Sequence, residues 1–415
     1  MDTTAPIRVS DDCVSARYAI DGLRFEPNVV LASDDGAGTR QTKVISNTGD
    51  IVGHFVTHAE DFRYRDYGIH VGQVDQLTFI ASPAKTIKGI FIDCRKQSPT
   101  CGLALTLEFS TSSARKLVIP NGVAHTFEDI ADVVTRNDMK LFSDPYNPSW
   151  SVENDNHTFL LDTPADQIPR LEVNRYPLPF SAAVMFFRMQ QEIMRGGRTV
   201  DEKPVQANIG GSLHQLVTSH ENPSRPLEMP SSEGCEIPGF AFAVNSFFAS
   251  APNSWCVLPS TPSCVMDMVL YEFQTDRREV HGMHTRHEVL HTFMDRTGDQ
   301  VFLDLLDLRS DSATFRDTAE LTITCDPRFH VRIPAGVAYR YRGYGNFTIR
   351  VEYALFMDEN EPRRDLPPIG SDWLTIQGGD LILRDGVVTP KIPAPPEGLW
   401  FLLRKELETL GIGEY

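Results

Sequence analysis

Apolar and polar residues alternate along much of this chain. In LALTLEF (103–109), Leu103, Leu105, Leu107 and Phe109 share one face, and in AELTITC (319–325) Leu321, Ile323 and Cys325 do the same. A period of two marks a half-buried strand. IKGIFIDCR (87–95) and DQVFLDLLDLR (299–309) are denser and suit strands covered on both faces. IPNGVA and IPAGVA read as strand, tight turn, strand: proline fixes φ and glycine supplies the permissive turn position. Many short strands with closely spaced turn signals predict a β-sandwich or barrel. Apolar residues fall at three- and four-residue spacing in 180–195 and again in 397–410, each stretch closing before glycine, so a helix is expected at both places.

The pattern occurs twice. IPNGVAHTF (119–127) returns as IPAGVAYRY (333–341), and Pro334 follows Pro120 by 214 positions. The same offset carries DCRKQSPT (93–100) onto DLRSDSAT (307–314), GIH (68–70) onto GMH (282–284) and DPYNP (144–148) onto DENEP (358–362). Near the ends the offset becomes 216, pairing 177–197 with 393–413 and Arg188 with Arg404. An ungapped register of this length implies a duplicated domain rather than a solenoid of short repeats. The expected organisation is a first domain over 1–198 and a second over 236–415. Between them lies a linker over 199–235, polar and rich in Pro, Gly and Ser.

Composition narrows the setting. A chain of 415 residues at 41% hydrophobic is long enough for two ordinary cores. The net charge of −17 argues against a nucleic-acid partner, which needs a basic face. The opening MDTTAPIRVSDDC lacks an apolar signal core, and no apolar run approaches a membrane span. Seven scattered cysteines without a CxxC pair read as reduced structural thiols. A cytoplasmic protein acting on a small molecule, with neither a nucleic-acid nor a membrane partner, is the expectation.

A strand block, then IP-x-G-x-A-H-x-F, then a strand and a closing helix resembles the cupin jelly roll. More narrowly, YGIH, DCRKQSPTCG, IPNGVAHTF and DPYNP in the first copy resemble the dTDP-4-dehydrorhamnose 3,5-epimerase family, as do HGMH, DLRSDSATF, IPAGVAYRY, DENEP and LILRD in the second. The resemblance implies two tandem jelly rolls, mostly β, each closed by a C-terminal helix. Because that family is dimeric, it also implies a pseudo-dimer within one chain, or a homodimer. It implies proton removal beside a ketone on a nucleotide sugar, by a His paired to an Asp, with a Tyr returning the proton. Such chemistry needs a base poised near neutral pH and donors aimed at the developing oxyanion.

Carried over residue by residue, the family's base falls on His70 and His284. Its carboxylate falls on Asp385 in LILRD; in the first copy Glu172 is the nearest carboxylate. The dyad is therefore expected in the second copy, as His284 with Asp385, and Tyr353 is the candidate acid. His281, Arg286, His291 and Tyr339 are expected to bind substrate there, and His70, His125 and Tyr146 in the first copy. Asp385 also reads as an ordinary turn residue before Gly386. His125 keeps the family pattern and Tyr339 does not, so the two pockets have diverged.

Two other readings stand beside this one. HGMHTRHEVLH offers His281, His284, His287, Glu288 and His291 to a metal-dependent bicupin oxygenase. The spacing is H-x-x-H rather than H-x-H, and the fourth ligand position is Tyr339, so no metal or other cofactor is expected. The third reading is a non-catalytic sugar-binding or scaffold bicupin.

Overall fold

The computed structural model describes residues 6–34, 39–45, 52–81, 83–144, 156–178, 205–209, 212–216, 227–251, 253–258, 266–273, 281–294, 298–342, 346–357, 373–377 and 380–393. The chain forms two compact units. Both helices expected at 180–195 and 397–410 lie outside the described residues.

The first unit comprises Met1–Val29, Asp50–Arg225 and Ser246–Leu258. It is a sandwich of two sheets. One orders Ile7–Arg8, Ala104–Ser110, Thr86–Asp93, Val123–Glu128, Asp66–His70 and Asn156–Leu160. The other runs Ser246–Ala251, Ser254–Leu258, Val52–Thr57, Val134–Ser143, Gln73–Ile80, Arg115–Ile119, Arg24–Pro27 and Ala16–Arg17. Inward positions of both sheets meet in one core: Phe91, Leu107 and Phe127 from the first, Phe25, Leu77, Phe79 and Leu117 from the second. This is the alternation the sequence predicts, with every second residue turned in.

The second unit comprises Val30–Gly49, Pro226–Asn245 and Pro259–Tyr415. Its larger sheet orders Ala241–Val244, Phe329–Ile333, His287–Phe293, Asn346–Met357, Met266–Phe273, Thr39–Ile45 and Val29–Asp34. The smaller orders Thr318–Thr324, Gln300–Asp307, Val337–Arg342, His281–His284 and Trp373–Ile376.

Strand pairings reproduce the repeat in register. Ala124 pairs with Ile92 as Ala338 pairs with Leu306, and His125 pairs with Gly68 as Tyr339 pairs with Gly282. The units are not contiguous in sequence, however, as the boundaries drawn at 198 and 236 would require. Ser254–Leu258 pairs with Val52–Thr57 in the first unit, and Thr39–Ile45 pairs with Met266–Phe273 in the second. A strand's alternation reports that it has a buried face, not which edge it joins, and an exposed edge accepts any strand that satisfies its amides and carbonyls. The presumed linker also holds a hairpin, Val205–Ile209 with Ser212–Leu216.

The recurring phrase has a physical cause. Asp93 accepts hydrogen bonds from Ser98 Oγ (2.5 Å), Thr100 Oγ1 (2.6 Å) and Arg95 Nη2 (2.8 Å). Asp307 does the same with Ser312 (2.6 Å), Thr314 (2.7 Å) and Arg309 (2.7 Å). Each arginine, thus fixed, lays its alkyl stem against the glycine of the IP-x-G turn. A Cβ on Gly122 would stand 2.5 Å from Arg95 Cγ, and one on Gly336 2.5 Å from Arg309 Cγ; both glycines have positive φ (+79° and +78°). Their amides donate to the carbonyls of His70 (2.6 Å) and His284 (2.7 Å). The D-x-R-x-x-S-x-T and IP-x-G motifs are therefore a brace behind the histidine strand in each unit.

Candidate active site

In the first unit, polar side chains gather at inward positions beside the apolar core. On Gln73–Ile80 the inward row is Gln73, Asp75, Leu77, Phe79: two polar residues, then two core residues. Gln73 Nε2 donates to Asp75 Oδ1 at 2.5 Å, and Asn137 Nδ2 donates to the same oxygen at 2.8 Å. The other oxygen, Oδ2, lies 3.6 Å from His125 Nε2, an electrostatic contact rather than a hydrogen bond. The His70 and His125 rings stand 6.2 Å apart between centroids. His125 Nδ1 faces the Val123 carbonyl at 3.2 Å, which assigns the proton there and leaves Nε2 toward the carboxylate.

Burial by itself would raise the Asp75 pKa. The charges available on His70 and His125 and the hydrogen bonds from Gln73 and Asn137 outweigh it, so the carboxyl is held below its usual range. His125 moves down: burial disfavours its charged form more than Asp75 favours it, and His70 adds to the depression. One buried carboxylate thus faces two imidazoles, ready to stabilise whichever carries a proton. Next to them, a Cβ built on Gly68 would meet no described atom within 4 Å, which leaves room on the inner face of the His70 strand.

The second unit fills the equivalent space differently. Val289 replaces Asp75, Val351 replaces Asn137, Tyr339 replaces His125 and Tyr353 replaces Met139. Trp373, on the strand paired with His281–His284, lays its indole over Gly282, where an added Cβ would come within 1.9 Å of the ring. The indole centroid is 4.8 Å from the His284 ring and 5.8 Å from Tyr339. Tyr353 lies 5.7 Å from both His284 and His287. His291 hydrogen-bonds Tyr341 Oη through Nδ1 at 2.5 Å, and burial drives its pKa down to about 3.

The expected residues sort accordingly. His284, Tyr353, His291 and Tyr339 do come together, as one aromatic cluster. Asp385 does not join them. It ends the short helix Leu381–Asp385, with 69% of its side chain exposed and its ionic contact to Arg384 at 3.8 Å. The helix packs Ile382 and Leu383 against Met283, Leu308 and Ala338. Met283 and His284 are consecutive on a strand, so the helix covers the face opposite His284. His281 shares the parity of Met283, not of His284. Arg286 lies in the turn after the strand, half-buried, its carbonyl accepting from Phe356 N. Tyr146 lies outside the described residues. Glu172, the carboxylate nearest by sequence in the first copy, is exposed and takes a bond from Gln97. Among the described residues, no group of three or more His, Cys, Asp or Glu is arranged to hold a metal ion, and no helix is long and apolar enough to cross a membrane. Sequence reasoning missed Asp75; the signal was a polar pair opening an otherwise apolar inward row.

Two-sheet sandwiches with this strand order, braced behind an inward histidine, are jelly rolls of the cupin class, here in tandem. The chain resembles one family within that class: residues 51–157, all in the first unit, match the model of dTDP-4-dehydrorhamnose 3,5-epimerase. No curated protein matches the sequence. Among solved structures, the dTDP-6-deoxy-D-glucose-3,5-epimerase of Legionella pneumophila Philadelphia 1, in complex with dTDP-4-keto-L-rhamnose, is 17% identical. That match covers 41% of this chain and 89% of that one, with a TM-score of 0.27. The dTDP-4-dehydrorhamnose 3,5-epimerase of Bacillus anthracis is 14% identical over 39% of this chain and 92% of that one, at a TM-score of 0.28. A Lactobacillus farciminis oxalate decarboxylase, as a formate complex, is 13% identical over 85% of this chain and 87% of that one, at 0.23. The fold assignment rests on the strand pairings above.

Proposed function

We propose that the first unit is an acid–base site that removes and returns a proton on a carbon beside a carbonyl. The protein would then be an isomerase or epimerase, acting on a 4-keto sugar nucleotide or a related natural-product ketone. The observation that carries this reading is the buried Asp75 carboxylate with the half-buried His125 and His70 beside the open inner face at Gly68. The span that matches the epimerase family contains all four residues. His70 is the base: its ring lies on the wall of that open space, and the Asp75 charge stabilises the imidazolium formed on proton transfer. His125 shares the carboxylate and keeps its orientation through the Val123 carbonyl. The second unit, with an indole over Gly282 and valine in place of the carboxylate, serves as scaffold.

The test is isotope exchange. The wild-type protein, incubated with dTDP-4-keto-L-rhamnose in D2O, is expected to introduce deuterium beside the ketone, read by NMR or mass spectrometry. Asp75→Asn keeps the shape and the contact to Gln73 but removes the charge, and should slow exchange by about 100-fold or more. Absence of exchange by the wild type, or equal rates in the variant, contradicts the proposal.

A further inference from the structure

The Val52–Thr57 strand places His54 directly opposite Asn137. Cross-strand partners in an antiparallel pair point to the same face. Asn137 points into the sandwich, because its amide reaches Asp75. His54 therefore faces the interior as well. Burial along the strand agrees: Gly53, Phe55 and Thr57 are buried, whereas His54 and Val56 are half-buried. The inward row is the one that meets solvent, as the wall of an open site would.

His54 belongs to the sheet that carries Asp75 and Asn137, whereas His70 and His125 belong to the other. Facing sheets stand about 10 Å apart, which leaves the thickness of a ligand ring between the two walls. Proton return with inversion needs a donor on the face of the carbon opposite the base. The inward residues of Val134–Ser143 along this wall are Asn137, whose amide is engaged by Asp75, and Met139, which has no proton to give. In the second unit the residue opposite Val351, the counterpart of Asn137, is Asp267, so this histidine is peculiar to the unit that holds the Asp75 carboxylate.

We infer that His54 is a further catalytic residue of the first unit, the donor that protonates the carbon on the face opposite His70. The inference rests on the acid–base reading above. In the first half-step the C–H bond breaks, the proton passes to the His70 ring, and the electron pair moves onto the carbonyl oxygen as an enolate. In the second, the enolate collapses, a new C–H bond forms with the proton of the His54 imidazolium, and His54 is left neutral. Solvent then takes the proton from His70 and returns one to His54.

The experiment follows exchange and inversion separately, with the full-length protein and dTDP-4-keto-L-rhamnose in D2O. Wild type should give deuterium exchange and the epimer. His54→Gln should retain exchange, because His70 still removes the proton and returns deuterium to the same face, while epimer formation falls by about 100-fold. His54→Lys, which restores a proton donor at the same place, should recover part of the epimer. Near-UV circular dichroism checks that both variants fold. Undiminished epimer formation in His54→Gln overturns the role of His54 alone, as does loss of exchange in a folded variant. A wild type without exchange overturns the parent reading, and this one with it.

Discussion

Gly122→Ala tests the brace behind His70. Two costs add at this position. The backbone sits at φ +79°, where a residue with a Cβ loses roughly 1–2 kcal/mol. The added methyl would also stand 2.4 Å from Val173 Cγ1 and 2.5 Å from Arg95 Cγ. Arg95 cannot yield cheaply, since Asp93 holds its Nε at 2.9 Å and Nη2 at 2.8 Å, and the Asp21 carbonyl holds Nη2 at 2.7 Å. Forced overpacking of that kind costs about 1–3 kcal/mol, for a total of about 2–5 kcal/mol. Gly102 supplies the control: its φ is +85°, and a Cβ there meets no described atom within 4 Å. Gly102→Ala should therefore lose only the backbone cost of roughly 1–2 kcal/mol. Urea unfolding followed by circular dichroism compares the midpoints. Because the Gly122 amide donates to the His70 carbonyl, Gly122→Ala should also lower exchange activity, and Gly102→Ala should not. Equal midpoints for the two variants would refute the steric reasoning.

Other perturbations test separate parts of the account. Asp138→Ala removes the carboxylate 3.0 Å from the fully buried Arg136 Nε and should destabilise by about 3–5 kcal/mol in chemical denaturation; a loss below about 1 kcal/mol contradicts the buried-pair reading. His58 is buried, bonded to the Val133 carbonyl and Tyr64, and its pKa is pushed down to about 4 by burial. The unfolded chain therefore binds its proton first, and its stabilising contribution, present above pH 6.5, is lost as pH falls from there toward 4. His58→Phe should flatten the stability profile in that window, and an unchanged slope argues against it. Trp373→Ala should open space beside His284 yet leave exchange unchanged; a marked change in rate would mean that the second unit takes part.

The duplication was legible because both copies must build the same brace. Asp93 with its Ser, Thr and Arg partners, and Gly122 against Arg95, tolerate little change, and Asp307 with Gly336 repeats them. Strand identity was legible from alternation. Strand partnership was not, because the pattern of Thr39–Ile45 or Ser254–Leu258 is the same whichever unit receives it. The site was legible only in part. The expectations at His70, His125 and His284 came from the phrases they sit in. Asp385 matched a motif by position, but the apolar side of its helix seals the outer face of the sheet, away from His284. Asp75 meets His125 across two sheets at a separation of fifty residues, and no linear spacing announces such a contact.

The central claim is that the acid–base site lies in the first unit. Deuterium incorporation into dTDP-4-keto-L-rhamnose by His70→Gln and His284→Gln, each checked for native stability, tests it most directly. The account predicts that His70→Gln abolishes incorporation while His284→Gln retains it. Loss of incorporation in His284→Gln with retention in His70→Gln would place the chemistry in the second unit and contradict the account.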